Sequence, residues 1–275
     1  MQMGCSTIHN TLAKKSLIAL FFTLTALAGA PDQMAMPFAP LIPKNFAHNI
    51  EAFITSGVAL SGLSNGNQTV IMNSLTSNTY DTSKSTQAGT MDGVGMSTIY
   101  HFNHHINVTL GPSFYFTDLG DVKGIEHPYS NAGNFQTLNY QFSAHSFSLL
   151  LESRAIYAAH RIQPFVIAGI GAAWNKLFNY SEVPTDPNSS ATGNPNVFQN
   201  NTRCDFSYDV GLGAQTQIYN DMKHDVTYNA ALSYRYFNFG SGALAQSSVQ
   251  TGNQTLKINT LDTQAVLLSL TAEFN

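Results

Sequence analysis

Eight stretches of the sequence alternate apolar and polar residues with a period of two, and this pattern constrains the fold more than any other feature. One of them, INVTLGPSFYF at residues 106–116, places Ile, Val, Leu, Pro and two Phe at the even positions, with polar or small residues between most of them. The other seven cover residues 50–60, 93–102, 147–154, 164–178, 206–219, 226–237 and 265–274. Successive side chains of a β-strand point to opposite faces, so each stretch predicts a strand with one apolar face.

The connections between these stretches alternate strictly in length. Those after the second, fourth and sixth stretches are short, as in FNHHIN. The others are long and rich in Asn, Ser, Thr, Gly and Pro, and they lie near residues 61–90, 117–137, 179–204 and 240–255. An up-and-down barrel with brief turns at one end and long loops at the other has this organisation, whereas a soluble sandwich has no reason to sort its connections by length.

The composition favours strands that face lipid. Only 10% of the residues are Asp, Glu, Lys or Arg, whereas about 25% is usual for a soluble domain. Each stretch also has about the 9–11 residues that a tilted membrane strand needs. We therefore predict an all-β fold, an eight-stranded antiparallel up-and-down transmembrane β-barrel. Two alternatives stay open: ten strands, if TVIMNSL at residues 69–75 belongs to a further hairpin, and a soluble lipocalin-like barrel with its apolar faces inward.

Two sets of residues are candidate sites within this barrel. Charges on the polar faces would lie in the lumen, where buried charges must be paired, and they predict an interior polar network of Glu51, Glu152, Arg154, Arg235 and Glu273. Solvated surface charges are the alternative. Aromatic residues near the strand ends occupy the positions of interfacial girdles: Tyr100, Phe102, Phe114, Phe116, Trp174, Phe178, Tyr208, Tyr219, Tyr234, Tyr236 and Phe274.

Two local irregularities are predicted in the strands. Pro112 has no N–H to donate to a neighbouring strand and a closed barrel has no edge, so a bulge or a missing inter-strand bond is expected there. Tyr140 and Phe142 have the opposite phase to Phe147, which indicates a bulge or a loop before the fourth stretch.

The N-terminal residues predict export. Lys14 and Lys15 precede SLIALFFTLTALAGA, the pattern of a secretory signal peptide. We assign residues 1–28 to this peptide, 29–47 to a Pro-rich lead-in and 48–275 to the barrel. A membrane anchor is the alternative, but the apolar run is shorter than the ~20 residues of a spanning helix. Cys204 would be alone after cleavage, so no intramolecular disulfide is expected.

No pattern of catalytic or metal-binding residues is convincing. His145 and Ser146 are adjacent and would point to opposite faces, and His101, His104 and His105 lie in and beside a tight turn with no nearby acid or Cys. We therefore expect no enzyme activity, no metal site and no cofactor. The net charge of −4 gives no reason to expect a nucleic-acid partner.

The segments PFVIAGIGAAW, FSYDVGLGAQTQ and LSYRYFNFG, with a last strand that ends at Phe274, resemble the small bacterial outer-membrane barrels of the OmpA/OmpX and opacity-antigen type. The resemblance covers residues 48–275. It implies an outer-membrane location in contact with lipid and lipopolysaccharide, with the N-terminus in the periplasm and the long loops outside the cell. It also implies that Phe274, one residue from the chain end, is recognised by the barrel-assembly machinery.

The predicted role is that of a surface antigen whose loops meet an extracellular or host ligand, in adhesion, host interaction or envelope integrity. A passive, porin-like channel for small solutes is the main alternative, although side chains fill the interior of an eight-stranded barrel. A lipid-modifying or proteolytic barrel enzyme is the third possibility, since the fold alone does not decide function.

Overall fold

The structure is a computed structural model that describes residues 49–63, 66–73, 76–83, 85–102, 104–129, 136–186, 197–247 and 254–274. The predicted signal peptide and lead-in lie outside these residues. Within the described ranges, no helix has the length and apolar character needed to cross a membrane.

The described residues form fourteen β-strands and no helix. The strands are β1 (Asn49–Leu63), β2 (Asn67–Ile71), β3 (Ser77–Thr82), β4 (Ser85–His101), β5 (Ile106–His127), β6 (Leu138–Tyr157), β7 (Ile162–Pro184), β8 (Phe198–Gln199), β9 (Asn201–Asp221), β10 (Val226–Asn238), β11 (Gly242–Ala243), β12 (Ala245–Gln246), β13 (Lys257–Ile258) and β14 (Asp262–Phe274).

Eight of these strands close into a ring. The antiparallel order is β1, β4, β5, β6, β7, β9, β10 and β14, and β14 pairs back to β1. The eight alternating stretches supply these eight strands, so the predicted eight-stranded barrel is confirmed. The further hairpin that TVIMNSL was considered to belong to is present as β2–β3, and it pairs with the last residues of β5 and extends the sheet to ten strands. It lies outside the ring, however, so the ten-stranded barrel is wrong.

The two ends of the ring differ as the connection lengths predict. At the turn end only four residues separate β4 from β5, β6 from β7 and β9 from β10. At the loop end the strands run further than expected, because β5 continues to His127 and β7 to Pro184. Parts of the predicted loops at 117–137 and 179–204 are thus strand. These continuations were not predicted because outward side chains are apolar only where the strand faces lipid.

Apolar side chains point outward along the membrane-length part of the ring. Leu110, Leu212 and Leu268 are 43%, 61% and 60% exposed, whereas a lipocalin-like barrel would bury them, so that alternative is wrong. We call this outward set the apolar belt: Ile50, Ile54, Val58, Leu110, Phe114, Phe116, Phe147, Leu151, Trp174, Val166, Ile170, Val210, Leu212, Leu232, Val266, Leu268 and Leu270. A continuous apolar surface of this size on a closed barrel is suited to lipid.

Bulges where the belt ends on the loop side reverse the inward–outward alternation of two strands, β5 and β7. The register of β5 against β6 shifts between Asp118 and Gly120, where Gly120 adopts a φ of 84° that favours glycine. The register of β7 against β6 also shifts, near Asn179, which has a φ of 58°. The strand β6 itself alternates without interruption. Tyr140 and Phe142 point inward beyond the belt, so the bulges lie in the two neighbours of β6 rather than in β6.

The wall is interrupted at Pro112, as predicted. The β4–β5 pairing proceeds from Gly95 opposite Ser113 directly to Thr98 opposite Leu110, with no change of register. On the other side, β5 pairs with β6 through Pro112 without a break. The missing proline N–H therefore interrupts one ladder and causes no bulge.

Candidate functional site

The lumen near the turn end holds an ion pair that joins three strands. The Arg154 guanidinium on β6 donates to both carboxylate oxygens of Glu51 on β1, each at 2.6 Å. Ser97 on β4 donates a further bond to the same carboxylate. All three side chains are buried, and inward positions on alternating strands bring them together.

A second ion group lies further along the lumen, centred on Arg235. Its guanidinium donates to Glu152 and Asp209 and, at 2.6 Å, to the hydroxyl of Tyr115. Tyr115 donates in turn to Glu152 at 3.0 Å, and Ser113 donates to the same carboxylate oxygen at 2.6 Å. The Arg235 charge is thus shared between two buried carboxylates on neighbouring parts of the wall.

The structure brings together four of the five charged residues predicted for the interior. Glu273 is half-buried at the turn end, where Asn49 donates to it at 3.3 Å, and it joins no ion pair among the described residues. Asp209 takes its place in the network. The sequence contains the signal for it, since Asp209 alternates with Tyr208 and Val210 on the polar face of the sixth stretch.

The lumen is closed by apolar side chains on the loop side of these charges. Phe237 on β10 and Phe239 just after it follow Arg235 toward the loop end, and their rings stack with centres 5.8 Å apart. We define the apolar plug as six fully buried side chains: Leu119, Leu150, Leu177, Phe237, Phe239 and Leu267. The cavity beside the charged network has a volume of only about 30 Å³, so side chains fill most of this part of the lumen.

Beyond the plug, the long connections pack into a single structure that we call the loop cap. It comprises the outer parts of β5, β6 and β7, the hairpin β2–β3 and the two small sheets β8–β12 and β11–β13. Gln68 on β2 exchanges hydrogen bonds with the backbone of Lys257 on β13 at 2.8 and 3.1 Å. Its buried core contains Val70, Tyr80, Val122, Tyr140, Phe142, Tyr180, Phe198, Leu244, Leu256 and Ile258.

Comparison with known proteins gives matches to structures alone. No family model matches the sequence, and no curated protein matches it. Among solved structures, Neisserial surface protein A has a TM-score of 0.36 and 11% identity, with 81% of this chain and 97% of that chain covered. The outer membrane protease OmpT of Escherichia coli has a TM-score of 0.34 and 7% identity, covering 84% and 98%. The outer membrane protein OprG of Pseudomonas aeruginosa has 0.32 and 13%, covering 82% and 96%.

A closed antiparallel ring, a lipid-facing apolar belt, a charged lumen and connections sorted by length are found together in this chain. These are the features of bacterial transmembrane barrels. The fold is that of an outer-membrane β-barrel.

None of the predicted girdle residues of this outer-membrane barrel is buried, but they are not confined to strand ends, because Phe114, Trp174 and Tyr208 lie well within long strands. Those near the turn end are Tyr100, Phe102, Tyr219 and Phe274, and those toward the loop end are Phe114, Phe116, Trp174, Phe178, Tyr208, Tyr234 and Tyr236. Aromatic rings at these two levels suit the boundaries between hydrocarbon and water, and the Tyr and Trp rings also carry a polar group that can face water.

His145, Ser146 and His101 lie on the outer wall, in the lumen and at the turn end of the described barrel, respectively. Ser146 points inward and donates to Asn175 at 2.8 Å, whereas His145 points outward to Asp118 at 3.4 Å. His101 lies 2.9 Å from the Asn107 side-chain oxygen. No set of three or more His, Cys, Asp or Glu in the described residues is placed to hold a metal ion.

A buried carboxyl group that the sequence analysis missed lies in the loop cap, outside the apolar belt. Glu126 is 1% exposed and accepts hydrogen bonds from Asn78 at 2.6 Å and Tyr80 at 3.1 Å. The Tyr180 hydroxyl lies 3.5 Å from it and donates to Glu182 at 2.5 Å. Burial, followed by the nearby Glu182 carboxyl, raises the pKa of Glu126 to about 8.

We predict that this carboxyl makes the loop cap less stable as the pH rises. The unfolded cap loses the Glu126 proton near the ordinary pKa of 4.5 and the folded cap near 8, so stability is highest below pH 4.5 and falls until about pH 8. Hydrogen exchange of β3 and β5, corrected for intrinsic rates, should show cap opening that increases up to about tenfold per pH unit in this window.

Glu126→Gln should remove most of this pH dependence, because glutamine carries no titrating proton. Asp81→Asn is the matched control, since Asp81 is exposed on the neighbouring strand β3, and it should leave the pH dependence intact. An unchanged pH profile in the Glu126→Gln protein would show that another group controls opening.

Proposed function

We propose that this outer-membrane barrel is a closed surface protein whose loop cap binds a partner outside the cell, in adhesion, host interaction or envelope integrity. The contrast between its two halves carries the proposal. Its lumen is filled by paired charges and the apolar plug, whereas its long connections are folded into one packed cap. A solute channel would need an open lumen. A barrel that served only as a membrane anchor would not need folded loops, so the packed cap favours a function at the loop end.

The length of the strands supports a role for the loop end. Strands β5 and β7 have 22 and 23 residues, about twice the 9–11 that a membrane crossing requires. Their outer halves therefore present a regular sheet beyond the belt. Asp81, Ile125, Asn139 and Val183 form a row across β3, β5, β6 and β7, and all four are exposed on its outer face.

A preformed surface of this kind lowers the entropy lost on binding. The cap core and the hydrogen bonds between Gln68 and Lys257 hold the loops together before any partner arrives, and preorganisation strengthens binding mainly by reducing this cost. The proposal includes no catalysis, since His145 and Ser146 lie on opposite faces of the wall.

We further propose that the barrel-assembly machinery recognises the alternating strand β14, which ends at Phe274.

Two measurements on one pair of proteins test this function. The variant replaces residues 66–83, which contain the hairpin β2–β3, with a short Gly-Ser linker and leaves the ring intact. Heat-modifiable migration on a denaturing gel is the control for barrel folding. Bacteria that display the wild-type protein should bind cultured epithelial cells or immobilised fibronectin, laminin or collagen more strongly than bacteria with the variant.

In planar bilayers, the refolded wild-type protein should give no stable single-channel current. Equal binding by the two proteins across all of these surfaces would contradict a role for the loop cap in adhesion. A stable current through the wild-type barrel would instead support the channel alternative.

A further inference from the structure

Two parallel rows of outward side chains cross β5, β6 and β7 where the apolar belt ends on the loop side. The first row, Phe116, Phe147 and Trp174, is aligned by direct cross-strand pairing. One outward position further on, Asp118 pairs with His145, and His145 pairs with Lys176. Charged and titratable groups thus directly follow the aromatic edge of the belt on three neighbouring strands.

Aromatic rings hold the two basic side chains of the second row. The His145 ring makes edge contacts with Phe116 at 5.4 Å and with Phe178 at 4.6 Å, and its Nε2 lies 3.4 Å from Asp118. The Lys176 ammonium lies 5.2 Å from the centre of the Phe178 ring. Lys176 is exposed and forms no ion pair with any described residue.

We propose that Lys176 and His145 bind the phosphate of an anionic membrane lipid whose acyl chains lie against Phe147 and Trp174. The belt next to the two basic residues fixes their depth at the boundary between hydrocarbon and water, which is where lipid phosphates lie. A lysine ammonium is a common phosphate ligand, and the adjacent ring orients it. Asp118 contacts His145 and not Lys176, so Lys176 supplies most of the attraction for the phosphate.

This site is independent of the partner proposed for the loop cap. It concerns the outward surface of the ring, whereas the cap lies beyond the belt, so either proposal can fail alone. The competing explanation is that Lys176 extends into water and selects no lipid, as lysines at a membrane interface commonly do. The experiment must therefore measure a preference between lipids rather than insertion itself.

The single tryptophan of the sequence reports on the lipid at this site, because Trp174 lies two residues from Lys176 on the same outward face. The full-length protein is reconstituted in phosphatidylcholine vesicles that contain increasing fractions of phosphatidylglycerol with brominated acyl chains, which quench tryptophan fluorescence. Brominated phosphatidylcholine gives the reference curve. The wild-type protein should prefer the anionic lipid roughly fivefold, the effect of one cation close to a membrane surface.

Lys176→Gln should reduce this ratio to about one, and His145→Gln should reduce it in part. Lys123→Gln is the matched control, since Lys123 is exposed on the outer half of β5 beyond the belt, and it should leave the ratio unchanged. A ratio of one in the wild-type protein, or an unchanged ratio in Lys176→Gln, would overturn the proposal. Loss of the preference on adding inorganic phosphate alone at constant ionic strength would also overturn it, by assigning the site to free phosphate.

Discussion

Replacing Arg235 with methionine is expected to destabilise the barrel by about 3–5 kcal/mol, the usual cost of removing one partner from a buried ion group. Methionine keeps most of the length of the side chain but leaves Glu152 and Asp209 buried together without a cation. Both carboxylates contact the guanidinium directly, and the Arg235 side chain is only 5% exposed. Urea unfolding in detergent micelles, followed by heat-modifiable migration, measures the loss.

A neutral version of the same network separates charge from packing. The triple variant Arg235→Met, Glu152→Gln, Asp209→Asn should regain much of the lost stability, since no buried charge is left uncompensated. Lys123→Met is the matched control on the solvated face of β5 and should change stability by less than about 0.5 kcal/mol. If Arg235→Met were as stable as the wild-type protein, the charge of Arg235 would not stabilise the barrel. If the triple variant were no more stable than Arg235→Met, the uncompensated carboxylates would not be the cause of the loss.

The second large effect is expected in conduction, because the lumen has two closures in series. Phe237→Ala with Phe239→Ala removes much of the apolar plug, but the charged network still blocks the passage. Arg235→Ala, Glu152→Ala and Asp209→Ala remove the ion group centred on Arg235 and leave the plug and the Glu51–Arg154 pair. Neither set alone should give a stable single-channel current in planar bilayers, whereas all five changes together should give one.

Folding of each protein must be verified first, since each Phe→Ala change costs about 3–5 kcal/mol in a packed interior. Heat-modifiable migration serves as this control, and only folded variants are compared. A stable current from the plug variant alone would show that the network leaves a passage. A closed barrel after all five changes would show that other side chains make the seal.

The eight strands of the ring are predictable from the sequence because lipid imposes a simple rule on them. In stretches such as residues 106–116, every outward position must be apolar, so alternation shows both the strand and its orientation. Beyond the belt, the rule reverses: Val122, Tyr140 and Phe142 point inward to the cap core, and polar residues face out. The pattern therefore changes phase at Gly120 and Asn179, and the strand continuations resemble loops in the sequence.

Most of the interior charged network was also predictable from the sequence. Glu51, Glu152, Arg154 and Arg235 are found by the requirement that charges on a polar strand face share the lumen. Asp209 satisfies the same requirement, since it lies on the polar face of its strand between Tyr208 and Val210. Glu126 could not be assigned in this way, since its burial depends on the hairpin β2–β3 folding back onto β5, and this long-range contact has no periodic signal.

The seam between β1 and β14 has a consequence for biogenesis. Asn49 and Glu273, whose side chains bond across it, are 224 residues apart in the chain. The wall cannot close while β14 is still being synthesised or translocated, and pairing of such distant strands is slow. Throughout that interval the edge of β1 that will pair with β14 is free to join another chain. Assembly of this protein therefore depends on protecting that edge until β14 reaches it.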